Sequence, residues 1–169
     1  AVASTMKDVG PRIDSWVRWH RHLGFQRIYI FFDASDEVES ANIAKAAGGE
    51  GVVKVFMRDD PSLLDGWRRQ ASWKALQADV DRDVQIRQLL SAQFAMELAK
   101  SEGLEWLLHI DSDELFLPQP MGAAANAATE HFARLAAAGC ECFIYHNHEA
   151  VPETRTLPGD ADPFKALRL

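Results

Sequence analysis

The sequence predicts an α/β domain built on a mainly parallel sheet flanked by helices. Three observations predict it. Short β-branched and aromatic runs alternate with segments of helical period, as crossover connections between parallel strands require. Glycine or proline punctuates the junctions. Polar residues follow directly on apolar runs, at Lys7-Asp8, Asp33, Asp111-Ser112-Asp113 and Asn147-His148-Glu149. In parallel sheets ligands gather outside the carboxyl ends of the strands, so these four clusters are expected along one rim.

The elements read in order as follows. Val2 to Met6 is a first strand. Gly10-Pro11 punctuates, with Pro11 suited to a first helical turn. Ile13, Trp16, Val17, His20 and Leu23 follow at helical spacing, and Gly24 ends that helix. Arg27 to Phe32 (RIYIFF) predicts a buried strand. Glu39 to Ala47 reads as a helix stopped by Gly48-Gly49. Val52 to Met57 is a third strand, broken at Asp59-Asp60-Pro61. Ser62 to Asp83 is polar and Trp-rich, with weak helical character around Trp67 to Leu76, and is expected as an excursion beside the core. Val84 to Ser101 is a long helix whose apolar stripe is Ile86, Leu89, Leu90, Phe94 and Leu98. Trp106 to Ile110 is a fourth strand running directly into Asp111. Pro118 and Pro120 mark a loop. Ala124 to Ala138 is an Ala-rich helix ended by Gly139, and Glu141 to Tyr145 is a fifth strand. The tail after Pro152 carries no firm pattern.

Length and composition bound the function. The 169 residues fit one domain, 1–169, and 47% apolar residues fill one core. A net charge of −7 excludes a general nucleic-acid binder, since Arg68-Arg69 with Lys74 is too sparse to be a basic stripe. An acidic chain still binds an anionic nucleotide when a divalent cation lies between them. Cys140 and Cys142, two apart in the expected strand, point the same way without geometry for a bridge and read as small core-compatible side chains. No apolar run is long enough to span a bilayer, so no membrane segment is expected within the chain. The chain opens inside a strand without an initiator Met, as an excised piece of a longer protein would. Its compartment is undetermined.

Asp111 and Asp113 carry the most specific chemistry. On extended backbone, residues i and i+2 face the same way. Two carboxylates aimed at one point repel unless a cation sits between them. Oxygen ligands suit Mn²⁺ or Mg²⁺, and a cation held there also binds a diphosphate and offsets charge on a departing group. The apolar strand before the triplet anchors it.

The run WLLHIDSDELF, Trp106 to Phe116, resembles the metal-binding strand of GT-A glycosyltransferases. It is most similar to glycosyltransferase family 92 and its family-2-like relatives, with their W-x-x-x-I-D-x-D-E-[LF] signature. Met6 to Asp33 resembles that group's first strand, helix and second strand. Arg87 to Ala99 and Asn147 to Glu153 also look like its members.

The resemblance implies a GT-A, Rossmann-like nucleotide-sugar-binding domain that is incomplete at its C-terminal end. It implies transfer of a hexosyl group from a nucleotide diphosphate sugar to a hydroxyl of a glycan or glycoconjugate, with inversion. Lys7, Asp8 and Asp33 would contact the nucleoside. Asp113 would be the direct metal ligand, with Asp111 partly facing the ribose, and Gln88 would lie beside the donor. Asn147, His148 and Glu149 would line the donor or acceptor side. Many relatives in that group are anchored in secretory-pathway membranes, which is consistent with a Golgi setting for the parent, while others lack such anchors and leave the compartment open.

Two rivals stay open. A nucleotidyltransferase or other phosphoryl-transfer enzyme could use the same carboxylate pair, although no Gly-rich basic loop stands near the start. A truncated, non-catalytic nucleotide-sugar binding module is the other.

Glu149 is the candidate general base for an acceptor hydroxyl. Asp36 reads as turn chemistry. His20 is expected as a satisfied core residue, His109 as a buried structural histidine, and Glu114 as a structural hydrogen bond or ion pair. The tryptophans are expected in the core, with Trp67 and Trp73 as lesser candidates for stacking on a sugar or base.

Overall fold

The structure, a computed structural model, describes residues 1–119 and 122–148. Its strands are β1 (Val2–Met6), β2 (Ile28–Phe32), β3 (Val53–Phe56) and β4 (Leu108–His109). All pair in parallel, in the order β3-β2-β1-β4. The helices are α1 (Arg12–His22), α2 (Val38–Gly48), α3 (Pro61–Arg68), α4 (Trp73–Leu76), α5 (Val84–Ser101) and α6 (Ala127–Ala137). This is an α/β, Rossmann-like arrangement, as expected.

Parallel strands covered on both faces read as continuous apolar runs, and β2 is buried at all five positions. Its alternate side chains feed two cores. Ile28, Ile30 and Phe32 join Val2 and Met6 of β1, Trp16 and Val17 of α1 and Ala44 of α2. Tyr29 and Phe31 face the other way, with Leu63 and Trp67 of α3 and Leu90, Phe94 and Ala95 of α5.

The stretch expected beside the core therefore belongs to it. Asp60 caps α3, its carboxylate accepting from the Ser62 backbone N–H at 2.8 Å. Leu63 and Trp67, one turn apart, are both buried. Trp67 donates its indole N–H to Ser91 at 3.3 Å, which removes it from any stacking role. Trp73 packs half-buried against the same core. A Cβ at Gly66 would lie 2.7 Å from the Phe94 ring, so only glycine lets α3 approach α5 this closely.

The α5 stripe is rotated from the expected one. Leu90, Ser91, Phe94, Ala95 and Ala99 are buried, while Leu89 is 47% exposed. Small residues pack tightly enough to displace a leucine from the buried face.

The fifth strand does not form among the described residues. Phe143 and Ile144 are exposed, and Tyr145 turns into a ring cluster with Phe116 and His131, its hydroxyl 2.7 Å from His131 Nε2. β4 pairs through only two residues and offers little edge to extend. Cys140 is half-buried and Cys142 exposed, both free thiols outside the core.

α6 starts against the end of α1. The Asn126 and Ala128 N–H groups donate to the carbonyls of His22 and Leu23, at 3.0 Å each. Two helix ends thus satisfy each other's orphan groups.

His20 is fully buried, as expected. Its Nδ1–H donates to the Trp16 carbonyl at 2.8 Å, which leaves Nε2 to accept from the Phe116 N–H at 3.4 Å. Burial lowers its pKa to about 3. The folded value lies below the ordinary 6.5, so the penalty is absent above pH 6.5 and grows as pH falls toward 3. Urea unfolding should show stability dropping by about 2 kcal/mol from this group between pH 7 and pH 5. His20→Gln, which bonds without titrating, should lower stability overall but flatten that slope.

Candidate functional site

Strand order places the site. From β1 the chain moves through α1 to β2 and then β3 on one side. After α5 it crosses back to place β4 on the other side of β1. The order reverses between β1 and β4, and such switch points open a crevice at the carboxyl ends. Lys7-Asp8 leaves β1 there, and Asp111-Ser112-Asp113 follows β4. Asp33 follows β2, next to β1 on the other side.

Side chains from one face of α1 hold the loop after β4. Trp16, Trp19 and His20 lie at i, i+3 and i+4. Trp16 donates its indole N–H to the Glu114 carbonyl at 2.9 Å, and Trp19 to the Phe116 carbonyl at 2.8 Å. With the His20–Phe116 bond, they hold the loop against the middle and last turns of α1. Beneath it lies a hollow of about 110 Å³, lined by Met6, Val9, Arg12, Ile13, Trp16, Ser112 and Asp113.

The triplet itself departs from the expected extended geometry. β4 ends at His109, and Asp111 to Glu114 form a turn in which the Glu114 N–H donates to the Asp111 carbonyl at 3.2 Å. Strand pleat therefore does not align the two carboxylates. Asp113 reaches the hollow, whereas Asp111 does not line it. Partial loss of hydration, then the Glu114 and Asp113 carboxylates, push Asp111 above the ordinary carboxylate range. His109, expected buried, is exposed.

Glu114 carries the structural role expected of it. One carboxylate oxygen accepts from the Asp111 backbone N–H at 3.0 Å and the other from the Asn147 side-chain amide at 2.5 Å. That joins the segment after α6 to the acidic turn. His148 is exposed beside Asn147, and Glu149 lies outside the described residues.

Asp33 is already occupied. Arg87 of α5 grips it with two bonds, Nε to Oδ1 at 2.5 Å and Nη2 to Oδ2 at 2.7 Å, and also donates to the Val80 carbonyl at 2.8 Å. Both side chains are largely buried, at 12% and 8% exposure. Donating these hydrogen bonds to the Asp33 carboxylate raises the Arg87 pKa further. Gln88, next along α5, is half-buried, and its side chain makes no hydrogen bond among the described residues.

Lys7 and Asp8 are exposed. Asp8 adopts a left-handed φ of 53°, with its N–H donating to Glu37 at 2.5 Å. Aspartate tolerates that conformation better than most residues do.

Sequence reasoning missed Arg87, Arg12 and Glu37. Arg87 was findable, because it shares a helix face with Leu90, Ser91 and Phe94 at i+3, i+4 and i+7. A lone arginine on a buried face implies a carboxylate opposite. Arg12 and Glu37 carry no such signal.

Asp111 and Asp113 are the oxygen donors available to a divalent cation, since Glu114 is engaged by hydrogen bonds. Among the described residues no group of three or more His, Cys, Asp or Glu side chains surrounds one point. Such a donor set suits Mg²⁺ or Mn²⁺, which keep several waters and take phosphate oxygens alongside one or two carboxylates. Among the described residues no helix is long and apolar enough to cross a membrane.

Two Arabidopsis thaliana proteins named glycosyltransferase-like are similar to the chain. One is 22% identical over 159 residues, covering 91% of this chain and 34% of that protein. The other is 24% identical over 160 residues, covering 91% and 29%. The chain thus spans about a third of the length of the curated relatives it matches. No family model matches it, and no solved structure does.

Proposed function

We propose that this chain carries the donor site of a glycosyltransferase, moving a hexosyl group from a nucleotide diphosphate sugar to a hydroxyl of a glycan or glycoconjugate. One observation carries the reading: an acidic turn at the switch point of a parallel sheet, with Asp113 lining a hollow beside β1. Similarity to two glycosyltransferase-like proteins along 91% of the chain supports it, as does the GT-A resemblance of Trp106 to Phe116.

A divalent cation on Asp113, with Asp111 behind it, would bridge to the diphosphate and offset charge on the leaving group. The hollow is smaller than the roughly 300–1,000 Å³ of a typical small-molecule site. It suits one phosphate-sized group, and the nucleoside lies over the rim toward Lys7 and Asp8. Asp33 supports that rim through Arg87 and faces the nucleoside only with the lone pairs Arg87 leaves free. In an inverting transfer the acceptor oxygen bonds to the anomeric carbon as the carbon–phosphate oxygen bond breaks. The electron pair leaves with the diphosphate, and the acceptor proton passes to a base, for which Glu149 is the candidate.

Incubating the protein with a panel of nucleotide sugars and Mn²⁺, with and without chelator, tests the reading. Metal-dependent release of nucleoside diphosphate is expected. Release of pyrophosphate from a nucleoside triphosphate and a sugar phosphate would instead favour a nucleotidyltransferase.

A further inference from the structure

We infer that Arg12 is a phosphate-binding residue of the donor site, holding the diphosphate from the side opposite Asp113. The inference rests on the proposed donor site and adds a residue to it.

Arg12 and Asp113 line the same hollow. They carry opposite charges, yet among the described residues they form no ion pair with each other. Asp113 has neither a hydrogen bond nor an ion pair there, and Arg12 has no carboxylate partner. Six other arginines, Arg18, Arg27, Arg58, Arg68, Arg69 and Arg87, each meet a carboxylate within ion-pair distance, whereas Arg21, Arg82 and Arg134 do not among the described residues. Of the arginines without an acid partner among the described residues, Arg12 is the one that lines the hollow.

The Arg12 guanidinium is also held in place. Its Nε donates to the Val9 carbonyl at 3.2 Å and its Nη2 to the Asp8 carbonyl at 3.3 Å. A guanidinium has five N–H donors, so most remain for a ligand. Tethering by two backbone carbonyls lowers the side-chain entropy lost on binding. The geometry selects among ligands. A planar fork of N–H groups matches phosphate oxygens, and a neutral sugar would leave its charge unanswered.

The hollow has room for that group. One water needs roughly 10–15 Å³ of such space, and about 110 Å³ is present. An anion there would face the Asp113 carboxylate, so its binding requires both a cation on Asp113 and the Arg12 charge. The chemical class of the ligand is thus a diphosphate with a divalent metal. During transfer the Arg12 guanidinium would take up part of the charge arriving on the departing diphosphate oxygen.

Titration calorimetry with inorganic pyrophosphate and Mn²⁺ tests this without knowledge of the base or sugar. Arg12→Gln should weaken binding roughly 10- to 100-fold, as loss of charge-assisted bonds does, and Arg12→Lys should recover part of it. Arg12 is exposed, so both variants should keep the unfolding temperature of the wild type, which calorimetry of unfolding verifies. Unchanged affinity in Arg12→Gln, with binding by the wild type, would overturn the role of Arg12 alone. No binding by the folded wild-type protein would overturn it together with the donor site.

Discussion

Arg87→Ala should destabilise the protein by about 3–5 kcal/mol in urea unfolding, the largest stability effect expected for a polar side chain here. The substitution leaves the Asp33 carboxylate at 8% exposure with no cation beside it. It also strips the Val80 carbonyl of its donor. An uncompensated buried charge costs more than the pair itself contributes, because the desolvation remains when the attraction is gone. The cost can be isolated. Asp33→Asn in the Arg87→Ala background removes the stranded charge, so the double variant should be more stable than Arg87→Ala alone. Additive losses would mean that the two side chains do not act as a unit. The pair ties the first turns of α5 to the end of β2. Its loss should therefore also loosen the rim where the nucleoside is proposed to lie.

Asp113→Ala should lower turnover of a nucleotide sugar by roughly 10²–10³-fold, from several kcal/mol of charge stabilisation supplied through the metal. Stability should barely change, because the side chain is exposed and has no partner among the described residues. Glu114→Gln provides the contrast. Its side chain bonds the Asp111 N–H and Asn147 and does not line the hollow. Stability should then fall by about 1–2 kcal/mol, because the amide keeps one acceptor as a neutral hydrogen bond and loses the other. Activity should suffer less than in Asp113→Ala.

The backbone plan was legible in the residues, because hydrophobic period and punctuation decide it. α5 runs from Val84 to Ser101 as its pattern reads, and IYIFF within RIYIFF is a fully buried strand, with Arg27 left outside it. His20 was readable from its helical spacing with Trp16 and Val17. Elements fixed by tertiary contacts were not legible. Ser62 to Asp83 reads as peripheral because a short helix buries only Leu63, Gly66 and Trp67, too few positions to establish a period. Glu141 to Tyr145 has a strand's composition, yet Tyr145 is drawn into the Phe116 and His131 rings and no ladder forms.

The site divides along the same line. Spacing located the residues after each strand, since topology brings strand ends together. It did not reveal that Asp111 to Glu114 make a turn, that Arg87 occupies Asp33, or that Arg12 and Asp113 line one hollow. Those depend on side chains from α1 and α5 that are distant in sequence.

Paramagnetic relaxation by Mn²⁺, read on the backbone amides in the presence of a nucleoside diphosphate, tests the donor site most directly. Resonances of Ser112, Asp113 and Glu114, with Lys7 and Asp8 across the crevice, should broaden first, and Asp113→Ala should abolish the effect. Broadening centred on another acidic segment, such as Asp79 to Asp83, or equal broadening in Asp113→Ala, would contradict a cation and diphosphate held between β1 and β4.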